Sequence, residues 1–202
     1  MNALTLDDLL PLEEFAARRR DFLEAHGRYL DRYRRVRVGP RLTLLFENRQ
    51  TLWFRVHELL RVARLSDPVR VQQELDWYNR LLPTRDRLQA ALLLETPGAD
   101  PPPEVVAFWR DLSGEHLHLH LGSVALPAVL VTCRPEDRWI GTSHWLELTV
   151  PPGVRHRLTE YRKPAYFEVN YRDYAHQSHP LSEATRQSLM DDLELSDRDR
   201  AA

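Results

Sequence analysis

Charged and amide side chains gather where an apolar run, residues 42–46, meets an amphipathic helical pattern that begins near residue 51. Ionised groups at such a junction are costly to bury unless they are paired. An arginine there can pair with an anion, while carboxylates and amides orient it. We therefore predict a polar groove for a small anion or a partner segment, formed by Glu47, Asn48, Arg49, Glu58, Glu74, Tyr78 and Asn79.

The same residue types also fit a structural role. Arg49 or Arg61 could form an ion-pair network with Glu58 and Glu74 that stabilises the fold and binds nothing. Both interpretations place these groups where a helical hairpin meets a sheet, and the sequence leaves the choice between them open.

Three histidines alternate with three leucines over residues 116–121. A strand places such histidines on one face, where a His-x-His pair can chelate zinc, copper or iron. The third ligand must come from another segment, so His116, His118 and His144 are weak candidates and no metal is favoured. A half-exposed strand with histidine on its solvent face explains the pattern without a metal. His57 lacks a second histidine four residues later, so the zinc-protease pattern is absent.

Other signals of catalysis are few. The sequence has no glycine-rich phosphate loop, no Gly-x-Ser-x-Gly elbow and no dinucleotide-binding fingerprint. Cys133 is alone and follows an apolar run, which indicates a core position. We therefore favour a non-enzymatic binding or accessory protein. A divalent-metal-dependent enzyme that uses the glutamates and histidines is kept as an alternative.

Charge gives no general attraction for polyanions, because the formal net charge is −2 over 202 residues. Arginine is concentrated in residues 18–41, so nucleic-acid binding through this segment is a further, less favoured alternative.

The acidic N-terminus lacks a signal-peptide pattern, and no apolar run approaches the roughly 20 residues of a membrane span. We expect a cytoplasmic protein without a membrane partner.

Hydrophobic periodicity predicts helices in the first half of the chain and strands in the second, which is typical of an α+β fold. We predict an N-terminal helix and a helical hairpin packed on a mostly antiparallel sheet, with a closing C-terminal helix. The chain forms one domain, with a helix-rich half over 1–96, a strand-rich half over 104–195 and a disordered tail over 196–202. The predicted helices are 5–33, 51–64, 68–82, 104–112 and 182–193, and the predicted strands are 42–46, 88–95, 116–121, 124–133, 143–150 and 165–171.

Three segments carry a family resemblance: LTLDDL at 4–9, FENRQT at 46–51 and ELDWYNRLLP at 74–83. Together they resemble the bacterial and archaeal family called domain of unknown function 3501, from about residue 4 to 193. No activity comes with the resemblance. It implies a single-domain cytoplasmic protein, and genes of this family near rubrerythrin-like and iron–sulfur oxidoreductase genes imply a role in redox or peroxide stress with a redox or iron-protein partner.

This chain departs from the family pattern in three places. Arg55 and His57 stand where relatives tend to have glutamine, and Lys163 begins a Lys-Pro-Ala-Tyr segment where relatives tend to have His-Pro-x-Tyr. The alternating histidines of 116–121 are not part of the family pattern, which lowers the expectation of a metal there.

Overall fold

Eight strands form one antiparallel sheet that is nearly barrel-shaped. The computed structural model describes residues 2–95, 103–109, 112, 114–131 and 143–198. The strands are β1 Arg35–Val38, β2 Leu42–Phe46, β3 Arg87–Leu94, β4 Leu117–Leu121, β5 Val124–Val131, β6 Ser143–Thr149, β7 Ala165–Tyr171 and β8 Tyr174–Gln177. They lie in the order β1-β2-β3-β6-β5-β4-β7-β8, and a bridge from Val38 to Ser178 joins the two ends of the sheet.

Alternate side chains fill the inside of this sheet. In β4 the leucines are buried while His118 and His120 are only half-buried, as the period of two requires. The same alternation runs along β7. One cluster of buried apolar residues draws side chains from all eight strands. Eight strands enclose a space that side chains alone can fill, so the interior is a packed core.

Three helices cover the outer face of β2, β3 and β6. These are α1 Leu12–Tyr29, α2 Arg49–Ala63 and α3 Pro68–Tyr78. All five residues of β2 are buried, because Leu45 on its outer face packs with Leu30 and Ala91 beneath the helices. α2 and α3 share one apolar cluster, which Trp145 of β6 joins to the sheet. The predicted α+β class is confirmed.

The predicted helix over 5–33 is divided into three segments. Leu6–Asp8 forms a 3-10 turn, α1 begins after Pro11, and a π-helical turn spans Leu30–Arg34. Pro11 has no N–H, so it precedes the helix instead of lying inside a longer one. β1 starts directly after the π-helical turn, where the sequence predicted only a break.

The remaining differences concern short elements. The strands β1 and β8 were not predicted, and each has four residues at the seam where the sheet meets itself. A one-turn helix, α5, spans Pro152–Arg155, and the helix predicted over 104–112 is α4, Pro103–Trp109. Cys133 lies outside the described residues.

The closing helix, α6, spans Glu183–Arg198. It begins as predicted, because the Ser182 hydroxyl accepts a hydrogen bond from the backbone N–H of Thr185 at 3.0 Å. It ends later than predicted, since residues 196–198 of the proposed disordered tail are helical and the rest of that tail is outside the described residues. Leu189 and Leu193 enter the barrel core. Among the described residues, no helix combines the length and apolar character needed to cross a membrane.

Arg186 on α6 holds the segment that precedes β7. The side chain is 3% exposed, and it donates to four backbone carbonyls, those of Arg157, Leu158, Glu160 and Lys163, at 2.7–3.0 Å. A guanidinium has five N–H donors, so this one side chain can bind several backbone carbonyls of the segment 157–163 at once. Burial lowers the pKa of Arg186.

We predict that Arg186→Met lowers the free energy of unfolding by about 3 kcal/mol or more, because several buried carbonyls lose their donor. Chemical denaturation measures the change. The matched control is Arg162→Met, the same substitution at an exposed arginine, which should stay within about 0.5 kcal/mol of the parent protein. Equal effects of the two substitutions would contradict the structural role of Arg186.

Candidate functional site

Asn48 is the N-cap of α2, and both polar atoms of its side-chain amide form hydrogen bonds. Its Oδ1 accepts from the backbone N–H groups of Gln50 and Thr51 at 3.1 Å. Its Nδ2 donates to the Tyr29 hydroxyl at 2.8 Å, and the amide acts to lower the pKa of the nearby Asp192 carboxylate. Because its oxygen and its nitrogen have different partners, the orientation of the amide is fixed. Asn48 therefore joins α2 to α1 and lies next to α6.

A buried ion pair lies next to this cap. Arg34 ends the π-helical turn, Asp192 lies on α6, and each is 2% exposed. Arg34 Nη1 and Nη2 both donate to the Asp192 carboxylate, the Nη2 contact measuring 3.3 Å. Burial acts to lower the pKa of Arg34, but the charge and hydrogen bonds of Asp192, together with those of Tyr29, outweigh burial and the pKa is raised. The guanidinium therefore stays charged, as a bidentate pair with a carboxylate requires.

Two hydroxyl groups complete the hydrogen bonds of Arg34. Its Nε donates to the Tyr29 hydroxyl at 3.2 Å, and its Nη2 donates to Ser188 Oγ at 2.7 Å. The Tyr29 oxygen therefore accepts two hydrogen bonds, one from Arg34 and one from Asn48. Each hydroxyl keeps its own proton as a donor, and among the described residues neither proton has a protein acceptor.

Tyr29 and Ser188 both line an open cleft between the end of α1 and α6. Its volume is about 410 Å³, and its walls are Tyr29, Tyr33, Ala184, Gln187, Ser188 and Asp191. The two tyrosine rings lie 5.3 Å apart at an angle of 47°. We call this space the tyrosine cleft. Its lining residues bring two hydroxyl groups, two aromatic rings and a carboxylate next to the buried pair of Arg34 and Asp192.

Glu47 is buried one residue before the Asn48 cap. The carboxylate is 1% exposed, and it accepts from the Thr51 hydroxyl at 2.5 Å. Its other oxygen lies 2.8 Å from Arg55 Nη2, which has the distance of an ion pair without the angle of a hydrogen bond. The Arg55 guanidinium also lies 5.2 Å from the centre of the Trp145 ring. Glu47 at the end of β2 and Trp145 on β6 thus both contact Arg55, which anchors α2 to the sheet.

The other predicted site residues have partners of their own. Arg49 pairs with Asp8 at 2.5 Å, and Glu58 binds Arg19 through two hydrogen bonds and also Arg61. The Arg61–Glu58 pair is one of the ion pairs of the structural network that the sequence offered as an alternative to a binding groove.

Asn79 directly follows α3 as its C-cap and ties that helix to the start of the chain. The Asn79 amide exchanges two hydrogen bonds with the backbone of Leu4, at 2.8 and 2.9 Å. Glu74 and Tyr78 are partly buried on the same helix, and Tyr78 packs against the apolar cluster of the helices.

The histidines of β4 lie on the outer face of the sheet that the helices leave uncovered. The rings of His118 and His120 are 6.3 Å apart, and His120 Nε2 is 3.5 Å from the Glu168 carboxylate. His116 lies in the 3-10 turn Gly114–His116 before β4 and packs edge-on against Tyr171, so the prediction that all three histidines lie on one strand is wrong. The His144 side chain lies outside the described part of the chain. Within the described residues, no three histidine, cysteine or acidic groups are placed to hold a metal ion.

His57 makes two backbone hydrogen bonds that use both of its ring nitrogens. Its Nδ1 donates to the Trp53 carbonyl at 2.8 Å, and its Nε2 accepts from the Leu10 N–H at 3.0 Å. This pattern requires the neutral ring, and burial lowers the pKa of His57. The side chain is therefore a structural link between α1 and α2, and neither nitrogen is left for a metal.

Sequence reasoning missed four residues of the buried network: Tyr29, Arg34, Ser188 and Asp192. Arg34 belongs to the arginine-rich segment 18–41, which had the pattern of a solvated surface, and Asp192 belongs to an acidic C-terminal segment. One signal was available for Asp192. It falls on the same helical stripe as Leu189 and Leu193, where an exposed charge is not expected.

We predict that Asn48→Asp lowers the free energy of unfolding by about 3 kcal/mol or more, because it removes two donors and places a second carboxylate against Asp192. Aspartate caps a helix as well as asparagine does, so the loss reports on the network and not on the cap. The control is Asp67→Asn, the reverse exchange at the exposed cap of α3, which should cost less than about 0.5 kcal/mol. A similarly small effect of Asn48→Asp, measured by denaturation, would exclude this role.

His26 gives a prediction for pH. Its ring stacks on Phe54 at 4.1 Å, and burial, with the charges of Arg55 and Arg35, lowers its pKa from 6.5 to about 4. As the pH falls below 6.5, the unfolded chain takes up a proton that the folded chain rejects until about pH 4. The stabilisation that the neutral His26 ring gives to the fold is therefore complete above pH 6.5. As the pH falls towards 4, the free energy of unfolding drops by about 3 kcal/mol.

His26→Phe should remove this part of the acid sensitivity, and denaturation at pH 7 and near pH 4 measures it. His179→Phe, at an exposed histidine, should leave the pH dependence of the parent protein unchanged. The same slope in all three proteins would contradict the assignment.

Comparisons with known proteins place this geometry in a family. A family model described as a protein of unknown function, DUF3501, matches residues 3–193. A search of curated proteins finds no match. Among solved structures, the chain is similar to the crystal structure of a novel protein of unknown function from Burkholderia pseudomallei K96243, with 26% identity, a TM-score of 0.83 and coverage of 95% of this chain and 100% of that one. The chain therefore belongs to the DUF3501 family of proteins of unknown function, as its FENRQT and ELDWYNRLLP segments predicted.

Proposed function

We propose that this protein is a binding protein that holds a small molecule bearing a carboxylate or phosphate group in the tyrosine cleft. The observation that supports it is the pair of hydroxyls, those of Tyr29 and Ser188, whose oxygens both accept from Arg34 and whose protons are left to donate. A small-anion site was expected around Arg49. The proposal moves that site to Tyr29, which Asn48 contacts, and to Ser188, where within the described part of the chain the hydroxyl donors lack protein acceptors.

Polarisation makes these hydroxyls better donors than isolated ones. A hydroxyl that accepts a hydrogen bond from a cation gives up electron density and donates its own proton more strongly. Arg34 exerts this effect on both groups, and Asn48 adds to it at Tyr29. Because Asp192 neutralises Arg34, the site offers oriented donors and little net positive charge. It therefore suits a ligand oxygen that needs two fixed hydrogen bonds.

The cleft has the dimensions of a small-molecule site. A volume of about 410 Å³ lies within the roughly 300–1,000 Å³ that is typical of such sites, which combine apolar walls with a few fixed polar groups. Tyr29 and Tyr33 supply the apolar walls. We include a redox or peroxide-stress setting and an iron-protein partner in the proposal, on the strength of the family resemblance alone.

Titration with acetate and with inorganic phosphate tests the proposal, with amide chemical shifts in the NMR spectrum to locate binding. We expect saturable shifts in residues 29–34 and 184–191. Tyr29→Phe should weaken binding by about tenfold or more, because a hydrogen bond to a charged acceptor is lost. The control is Tyr166→Phe, which removes a hydroxyl on β7 and should leave binding unchanged.

Two results would overturn the proposal. One is the absence of saturable shifts around the cleft with either probe. The other is equal binding by the parent protein and by a folded Tyr29→Phe variant. Ser188→Ala gives a second test of the same point, since it removes the other donor and leaves the tyrosine ring in place.

A further inference from the structure

We infer that the ligand of the tyrosine cleft is a small zwitterion of the amino-acid type, whose cationic nitrogen faces Asp191 while its carboxylate meets the two hydroxyls. This inference rests on the proposed function and goes beyond it by naming the ligand class. It is carried by the charge of Asp191, by the hydrogen bonds that fix Asp191 and by the presence of this carboxylate and the two hydroxyl residues in the lining of one cleft.

Asp191 is a carboxylate on the wall of the cleft without a cationic partner. No lysine, arginine or histidine among the described residues forms an ion pair with it, and its one hydrogen bond comes from Gln187 Nε2 at 2.8 Å. Asp192 follows it directly, but that carboxylate is neutralised by Arg34. Among the described residues, the lining of the cleft therefore combines a carboxylate that has no cationic partner with the two hydroxyl residues.

A simple anion would be repelled by this charge. Two like charges a few ångströms apart at a protein surface repel each other, more strongly where the local dielectric is low. A ligand that brings its own cationic nitrogen converts this repulsion into attraction. The cleft thus favours a molecule that has both signs of charge separated by one or two carbon atoms, as an α-amino acid has.

Asp191 is held in position before any ligand arrives. Gln187 donates to it and at the same time accepts from the Tyr161 hydroxyl at 2.7 Å. The amide of Gln187 is thereby oriented with its donor towards Asp191. Arg34 in turn donates to Ser188 on the same helix and to Tyr29 on α1. Both ends of the site are therefore preorganised, which lowers the entropy cost of binding.

The aromatic walls suit the same class of ligand. A cationic nitrogen near a tyrosine face is attracted by the ring quadrupole. Arg32 already lies 5.1 Å from the centre of the Tyr33 ring, which shows that this ring accepts a cation on one face. The carbon atoms of a small amino acid can pack against the Tyr29 and Tyr33 rings between the two polar ends.

Glycine and acetate test the inference, because they differ by one ammonium group. The parent protein should bind glycine more tightly than acetate by roughly two- to fivefold, the effect of one partly exposed ion pair. Asp191→Asn should abolish this preference and leave acetate bound at least as tightly as before. Tyr29→Phe should weaken both ligands together.

The chain offers a matched control for Asp191. Asp76 on α3 is exposed and accepts from Gln72 Nε2 at 2.8 Å, the same glutamine–aspartate contact over four residues, and it does not line the cleft. Asp76→Asn should keep the preference for glycine.

The outcomes separate the two claims. Acetate binding without a preference for glycine, or a preference that survives Asp191→Asn, would overturn the zwitterion inference and leave the binding function intact. Failure of both glycine and acetate to bind at the cleft would overturn both.

Discussion

The buried ion pair of Arg34 and Asp192 is the interaction on which the rest of the molecule depends. The two residues are 158 positions apart in sequence, and their pairing fixes α6 to the π-helical turn that leads into β1. Charges at this depth destabilise a fold unless every donor and acceptor around them is engaged. Tyr29, Asn48 and Ser188 meet that requirement here, so three helices and the first strand are held by one hydrogen-bonded network.

The same requirement generates the candidate site. A guanidinium must find acceptors for its remaining N–H groups, and here two of the acceptors are hydroxyls at the surface of the network. Once their oxygens accept, their protons remain available as donors. In the proposed function, this structural network supplies the donors and Asp191 on α6 supplies the opposite charge. Recognition would then follow from the way in which a buried charge is satisfied.

The family segments have a physical explanation in the structure. Asn48 and Thr51 of FENRQT close a capping box at the start of α2, and Glu47 beside them is held by Thr51 and Arg55. Asn79 of ELDWYNRLLP binds the backbone of Leu4 in LTLDDL. Several of the side chains that carry the resemblance therefore have their hydrogen bonds inside the molecule. They maintain the helical layer that supports the cleft.

The sequence predicted correctly those features that depend only on interactions between residues close together in the chain. The apolar run 42–46 and the alternation of residues 117–121 follow from neighbours in sequence, and both appear in the structure as strands. The near-closure of the sheet depends on β1 and β8, which are too short to carry a periodic signal of their own. The pairing of Arg34 with Asp192 could not be predicted from the sequence, because each residue lies in a segment rich in charges of its own sign. Only the fold brings the two residues together.

A double-mutant cycle on the ion pair tests this account most directly. Unfolding free energies would be measured for Arg34→Met, Asp192→Leu and the double variant. Each single substitution leaves one buried charge uncompensated and should cost about 3–5 kcal/mol, while the double variant should cost far less than the sum. Additivity to within about 0.5 kcal/mol would show that the two side chains act independently, and the account of both the fold and the cleft would then be wrong.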